Sequence, residues 1–141
     1  MRIVRATTTP QLLTASALFD TPPHPHHAAA FLAAPGHHLF LAHEDDLTPD
    51  PVGFISGVET LHPDKGREMF LYELAVAEPF RRRRIAHALI RTLADLAAEL
   101  GCYDMWVGVD TDNDAALAAY RTAGGTDEGP CRIVTWDLGQ S

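Results

Sequence analysis

Basic residues, cysteine and long apolar runs are all scarce in this sequence. Lysine and arginine together number 11 against 19 aspartates and glutamates, a formal net charge of -8 with histidine neutral. So acidic a chain disfavours nucleic acid as the main partner and suits a cationic one. The two cysteines, Cys102 and Cys131, are too few to staple a secreted scaffold, and both border apolar runs, so buried thiols are expected. No apolar stretch approaches the roughly 20 residues of a membrane span. The start, Met1-Arg2-Ile3-Val4-Arg5, is too short and too broken by charge for a signal peptide. A cytoplasmic protein with no membrane partner is expected. Internal repeats, low-complexity stretches and linkers are also missing, so the 141 residues read as a single domain, 1–141.

Periodic patterns and turn signals predict ten elements in the order β-α-α-β-β-β-α-β-α-β. Residues 2–7 form an opening strand, and Thr9-Pro10 starts a helix that Pro22-Pro23 ends. A short helix over 24–34 stops at Pro35-Gly36, and strands follow at 38–43 and 52–59. Residues 69–76 are nearly continuous in apolar character, as in a central strand covered on both faces, with Glu73 as the anomaly. Ile85, Leu89, Leu93, Leu96 and Leu100 make the stripe of an amphipathic helix that Gly101 closes. A strand over 103–109, a helix from Asp112 or Asn113 to Ala123, and a last strand over 131–138 complete a mixed α/β fold.

The few cations gather at one place. Arg81-Arg82-Arg83-Arg84 precedes Ile85-Ala86 at the start of the long helix, directly after the central strand. Alone, four arginines read equally as a solvated basic turn, a nucleic-acid patch or a phosphate site. Position tips the balance. A helix N-terminus offers unpaired N–H groups and a partial positive charge, and guanidinium adds bidentate donors, so a pyrophosphate-bearing ligand has a physical reason to sit here.

Glu73-Leu74-Ala75-Val76, the Arg81-Arg82-Arg83-Arg84-Ile85-Ala86 turn, and Asn113-Asp114-Ala115-Ala116 with Tyr120 and Gly124 resemble the GNAT superfamily of N-acetyltransferases. The stretch from Leu71 to Tyr120 looks closest to its aminoglycoside 3-N-acetyltransferase branch. Arg84 stands where that family has the first glycine of its acetyl-coenzyme A loop, and Gly125 stands where an aromatic residue commonly follows Gly124. The resemblance implies a GNAT-like mixed sheet flanked by helices, acetyl-coenzyme A as acetyl donor, no metal, and direct attack by a primary amine. It implies cofactor contacts from Leu74, Ala75, Val76, Arg81, Arg82, Arg83, Arg84, Ile85, Ala86, Asn113, Ala116 and Tyr120. A homodimer is common in the resembled family.

Amine acetylation needs a neutral amine, a polarised thioester carbonyl and a proton for the departing thiolate. Glu73 is the candidate base: a carboxylate inside an apolar strand should have a raised pKa, the alternative being a solvent-facing strand position. Tyr120 matches the family's thiolate acid, although its apolar neighbours suit a core aromatic equally. Asp110, Asp112 and Asp114 cluster at a strand end. One of these residues or Asn113 caps the next helix, while Asp110 and Asp112 are candidates to pair with a polycationic substrate. His24, His26 and His27 lack the companions of a specified zinc site and read as loop and helix-end residues. The expected activity is transfer of acetyl to an aminoglycoside amine. The alternatives are another small amine or peptide N-terminus as acceptor, or a non-catalytic acyl-coenzyme A-binding module.

Overall fold

A computed structural model describes residues 1–140 as two compact units, the first running from Met1 to Gly108 and the second from Val109 onward. The first unit holds a five-stranded sheet in the order β1-β2-β3-β4-β5, with β1 at Arg2–Arg5, β2 at His37–His43, β3 at Gly53–His62, β4 at Gly66–Val76 and β5 at Met105–Trp106. The first four strands are antiparallel neighbours. β5 runs parallel to β4, a pairing that needs a long crossover such as the helix between them. The result is the mixed sheet flanked by helices that the sequence pattern predicts.

Two short helices, α1 (Thr9–Leu13) and α2 (Pro25–Ala33), follow β1. α1 starts with Pro10 in its first turn, as the sequence suggests, but with Thr8 as its cap, and α2 begins in the same way, with His24 as cap and Pro25 in its first turn. Thr8 accepts from the Gln11 N–H, and the His24 ring accepts from the His26 N–H. The histidine-dense stretch thus supplies a helix cap. α1 is shorter than predicted, giving way to a 3₁₀ turn at Ser16–Leu18. Leu12, Ala15 and Ala28 pack with Leu39, Leu41 and Phe54 in one buried cluster, with Phe19 stacked on Phe54 at 4.3 Å.

α3 (Ile85–Glu99) covers the other face of the sheet through buried Ile85, Leu89, Ile90, Leu93 and Ala97. The glycines of β3 admit it. A Cβ at Gly57 would lie 2.7 Å from a Leu93 methyl, and one at Gly53 would lie 3.3 Å from both Ile85 and Leu89. Buried His38 links the strands. It accepts from Arg5 at Nδ1 and donates from Nε2 to Glu59 at 2.6 Å, while Arg67 pairs with Glu59 at 3.0 Å.

The second unit contains α4 (Asp114–Thr122). Two expectations are corrected here. Residues 131–138 alternate as a strand should, yet no strand forms over them. Alternation supplies a face but not a hydrogen-bonding edge, and Ile133, Val134, Trp136 and Leu138 remain 70–80% exposed. Cys131 is likewise exposed, not buried, and both cysteines are free thiols. Among the described residues, no helix is long and apolar enough to cross a membrane.

Candidate active site

β4 carries the central carboxylate. Glu73 stands opposite Ser56 of β3 and accepts a hydrogen bond from its hydroxyl at 3.1 Å. Ser56 is fully buried and Glu73 half-buried, in place of the solvent-facing alternative. Burial pushes the Glu73 carboxyl above the ordinary carboxylate range, against the Ser56 hydrogen bond, and the negative charge of Asp20 adds to the rise. A carboxylate in this state is a stronger base than a solvated one, which suits proton removal from an ammonium. Ser56 and Asp20 had no signature in the sequence: both come to Glu73 only through sheet register and packing.

Beyond Glu73 the outer edge of β4 opens. Among the described residues β5 pairs with β4 only at Met69 and Phe70, so Leu74, Ala75 and Val76 have no β5 partner. An extended ligand can approach the outward-facing backbone groups of Leu74 and Val76 there. Ala75, Val76 and Arg81, with Ala15, Leu18 and Asp50, line a cavity of about 340 Å³. Sequence reasoning missed the contributions of the 3₁₀ turn after α1 and of the β2–β3 loop to this cavity, which only tertiary packing creates.

A 3₁₀ turn at Glu78–Phe80 leads into the arginine run. The Arg81 side chain donates to the Val76 carbonyl at 3.0 Å, tying the turn back to the strand end. Arg83 lies 5.3 Å over the Phe80 ring and 3.5 Å from Glu44. Arg82 and Arg84 hold φ of 65° and 63°, the left-handed region that glycine favours. Replacing the family's glycine with Arg84 therefore leaves the turn its left-handed backbone. Arg84 occupies the N-cap of α3 without a side-chain cap, and no acidic residue sits in the first turn. Ile85 is buried and Ala86 half-buried at the start of the helix, and four exposed arginines precede a first turn that holds no competing carboxylate.

The remaining candidates belong to the second unit. Asn113, not Asp112, caps α4, its side-chain oxygen accepting from the Ala116 N–H at 3.1 Å. Asp110 and Asp112 are exposed, and the Asp110 carbonyl accepts from the Asn113 N–H at 3.0 Å. Tyr120 is half-buried, and burial raises its hydroxyl pKa, which keeps it protonated at neutral pH. Gly125 returns the chain so that its N–H donates to the Tyr120 carbonyl at 2.9 Å. A Cβ there would lie 3.0 Å from that oxygen, which accounts for a glycine where the family commonly has an aromatic residue.

The geometry has counterparts among solved structures. An aminoglycoside acetyltransferase from an uncultured soil metagenomic sample, crystallised with sisomicin, is similar at TM-score 0.85 and 21% identity, covering 97% of this chain and 95% of that one. The aminoglycoside 6'-N-acetyltransferase of Acinetobacter baumannii is similar at TM-score 0.79 and 17% identity, with 98% and 99% covered. An aminoglycoside N-acetyltransferase in complex with coenzyme A gives 0.78 and 18%, with 96% and 98% covered. No curated protein matches the chain by sequence. Residues 7–124, spanning the β4 carboxylate, the arginine turn and α4, match the acetyltransferase (GNAT) family, and the chain belongs to that family.

Proposed function

We propose that this acetyltransferase moves an acetyl group from acetyl-coenzyme A to a primary amine of an aminoglycoside. The observation that carries the reading is Glu73, a half-buried carboxylate with a raised pKa, on the strand whose open end leads to the arginine turn. The acidic balance of the chain and the aminoglycoside acetyltransferases among its structural neighbours support the substrate class. Residues 1–141 are read as one acetyltransferase domain, supported by a family match that runs through both units.

Acetyl-coenzyme A supplies the activated carbonyl. The turn at Arg81, Arg82, Arg83 and Arg84 binds its pyrophosphate, together with the N–H groups at Ile85 and Ala86. The backbone N–H groups of Leu74 and Val76, which face the open edge, hold the acyl-bearing arm and polarise the thioester oxygen, while Ala75 faces Phe54 of β3 and contributes its surface. Asn113 caps α4 at the Ala116 N–H, and the family resemblance gives this helix a share in cofactor binding, with Tyr120 as the acid. Glu73 takes one proton from the substrate ammonium, and the neutral nitrogen bonds to the carbonyl carbon as the carbon–sulfur bond breaks. Tyr120 gives its proton to the departing thiolate. Asp110 and Asp112 bind further ammonium groups of the same substrate. The resemblance over residues 71–120 favours the 3-amino group, whereas the Acinetobacter neighbour acts at the 6' position.

Turnover measured as release of coenzyme A thiol across an amine panel tests the reading. Thiol release with sisomicin, and none with spermidine or a peptide N-terminus, is expected. Release with spermidine or the peptide alone removes the aminoglycoside assignment and leaves the acetyltransferase.

A further inference from the structure

The register of β3 and β4 contains an irregularity beside Glu73. Ser56 stands opposite Glu73, Gly57 opposite Leu71, and Val58 opposite Phe70, so Tyr72 is an extra residue, a β-bulge. In a regular strand residues 70 and 73 would face opposite sides of the sheet. The bulge puts both on the side of Ser56 and Val58, away from α3. Phe70 therefore shares a face with the candidate base, about 7 Å along the sheet, the length of two strand residues.

Phe70 is not alone there. Its ring stacks on Trp106 of β5 at 4.4 Å and lies 5.5 Å from the ring of Tyr72. A stacked pair across neighbouring strands is an ordinary device for holding a sheet edge, which accounts for Phe70 and Trp106 touching. It does not account for the exposure: Tyr72 is 59% and Trp106 47% open to solvent. A role in core packing alone would bury them. These rings form a surface beside a carboxylate whose field is reinforced by a second negative charge, that of Asp20.

We infer that Phe70, Tyr72 and Trp106 form an acceptor subsite that holds the aminosugar ring next to the one being acetylated. The inference rests on the aminoglycoside reading above and deepens it. Ammonium groups are drawn to the faces of Trp and Tyr rings, and the C–H face of a sugar packs against the same surface. Glu73 takes the reacting amine, which must lose its charge, while the rings hold a neighbouring part of the substrate that keeps its charge throughout. Interactions equal in the ground and transition states lower KM without changing kcat.

The test uses the whole chain with sisomicin as acceptor. Tyr72→Ala and Trp106→Ala are each expected to raise KM for sisomicin about tenfold, with kcat within twofold of the parent. Tyr72→Phe and Trp106→Phe keep the ring and should restore KM. Coenzyme A affinity, read by calorimetry, should be unchanged in all four. Should Trp106→Ala unfold because β5 is lost, Tyr72→Ala, on an exposed bulge, decides. Unchanged KM in that variant, or an equal loss of coenzyme A affinity, overturns the subsite and leaves the aminoglycoside reading standing. A parent protein that does not turn over sisomicin overturns both.

Discussion

Arg82 and Arg84 hold left-handed backbone conformations at which a side chain normally costs about 1–3 kcal/mol, and they do so in the turn that leads into α3. The surrounding contacts, among them the Arg81 bond to the Val76 carbonyl, fix the turn against that strain. Arg84→Gly removes the steric term but adds chain freedom in the unfolded state, worth about 0.5–1 kcal/mol. The expected net effect is a gain of about 1 kcal/mol, seen as a rise in Tm of about 3 °C in thermal unfolding. Coenzyme A affinity in the same variant should stay within about fivefold, because an exposed charge contributes at most about 1 kcal/mol. A larger loss would make the Arg84 guanidinium itself a phosphate ligand. Glu73 is strained in another sense. Its carboxyl pKa is raised in the fold, so the native state holds the proton more tightly than the unfolded chain does. Its contribution to stability is therefore full below the unfolded carboxylate pKa and lost as pH climbs through the raised native value. Activity runs the opposite way, since a base must be ionised, and kcat/KM should rise with pH through the same window. Glu73→Gln keeps an acceptor for Ser56. It should lower kcat by about 100-fold or more while leaving stability at pH 7 equal or higher, measured by turnover and thermal unfolding together.

At the scale of elements, what the sequence made legible was what local periodicity encodes. The α3 stripe, the apolar run of β4, the proline start of α1 and the short helix α2 all appear, with α1 cut short. Three features were not legible because each depends on a partner elsewhere in the chain. The bulge at Tyr72 exists only in the register of β4 against β3. The Ser56 hydrogen bond to Glu73 follows from that register. Residues 131–138 have strand-like alternation and form no strand, because alternation does not provide an edge to pair with. The close seat of α3 on the sheet is a fourth partner effect, and it can be tested directly. Gly57→Ala places a Cβ 2.7 Å from one Leu93 methyl, 2.9 Å from the other and 3.0 Å from the Met69 sulfur. Such overpacking typically costs 1–3 kcal/mol, which chemical denaturation should register as a lower midpoint with an unchanged slope. Turnover should fall little if α3 keeps its first turn. An unaltered midpoint would mean that Leu93 and Met69 can move aside without loss.

Charge operates at the scale of the whole molecule. The chain carries a net charge of -8, while four of its 11 basic residues lie side by side in the arginine turn. The two substrates of the proposed reaction therefore meet opposite fields. A polycationic amine is attracted at long range by the acidic surface and held at short range by carboxylates. An anionic acyl donor is repelled at long range and attracted only near the turn. Salt separates these effects, because the screening length shrinks from about 30 Å at 0.01 M to about 8 Å at 0.15 M. Raising sodium chloride over that interval should lower kcat/KM for sisomicin several-fold, mainly through KM, since the chemical step lies at short range. The KM for acetyl-coenzyme A should change much less, because screening weakens the distant repulsion and the local attraction together. Replacing sisomicin with an amine of a single charge should flatten the first dependence as well, as attraction scales with ligand charge. A kcat/KM for sisomicin that does not vary with salt would place recognition in the ring contacts and the directly bonded carboxylates alone, and leave the acidic surface without a role in capture.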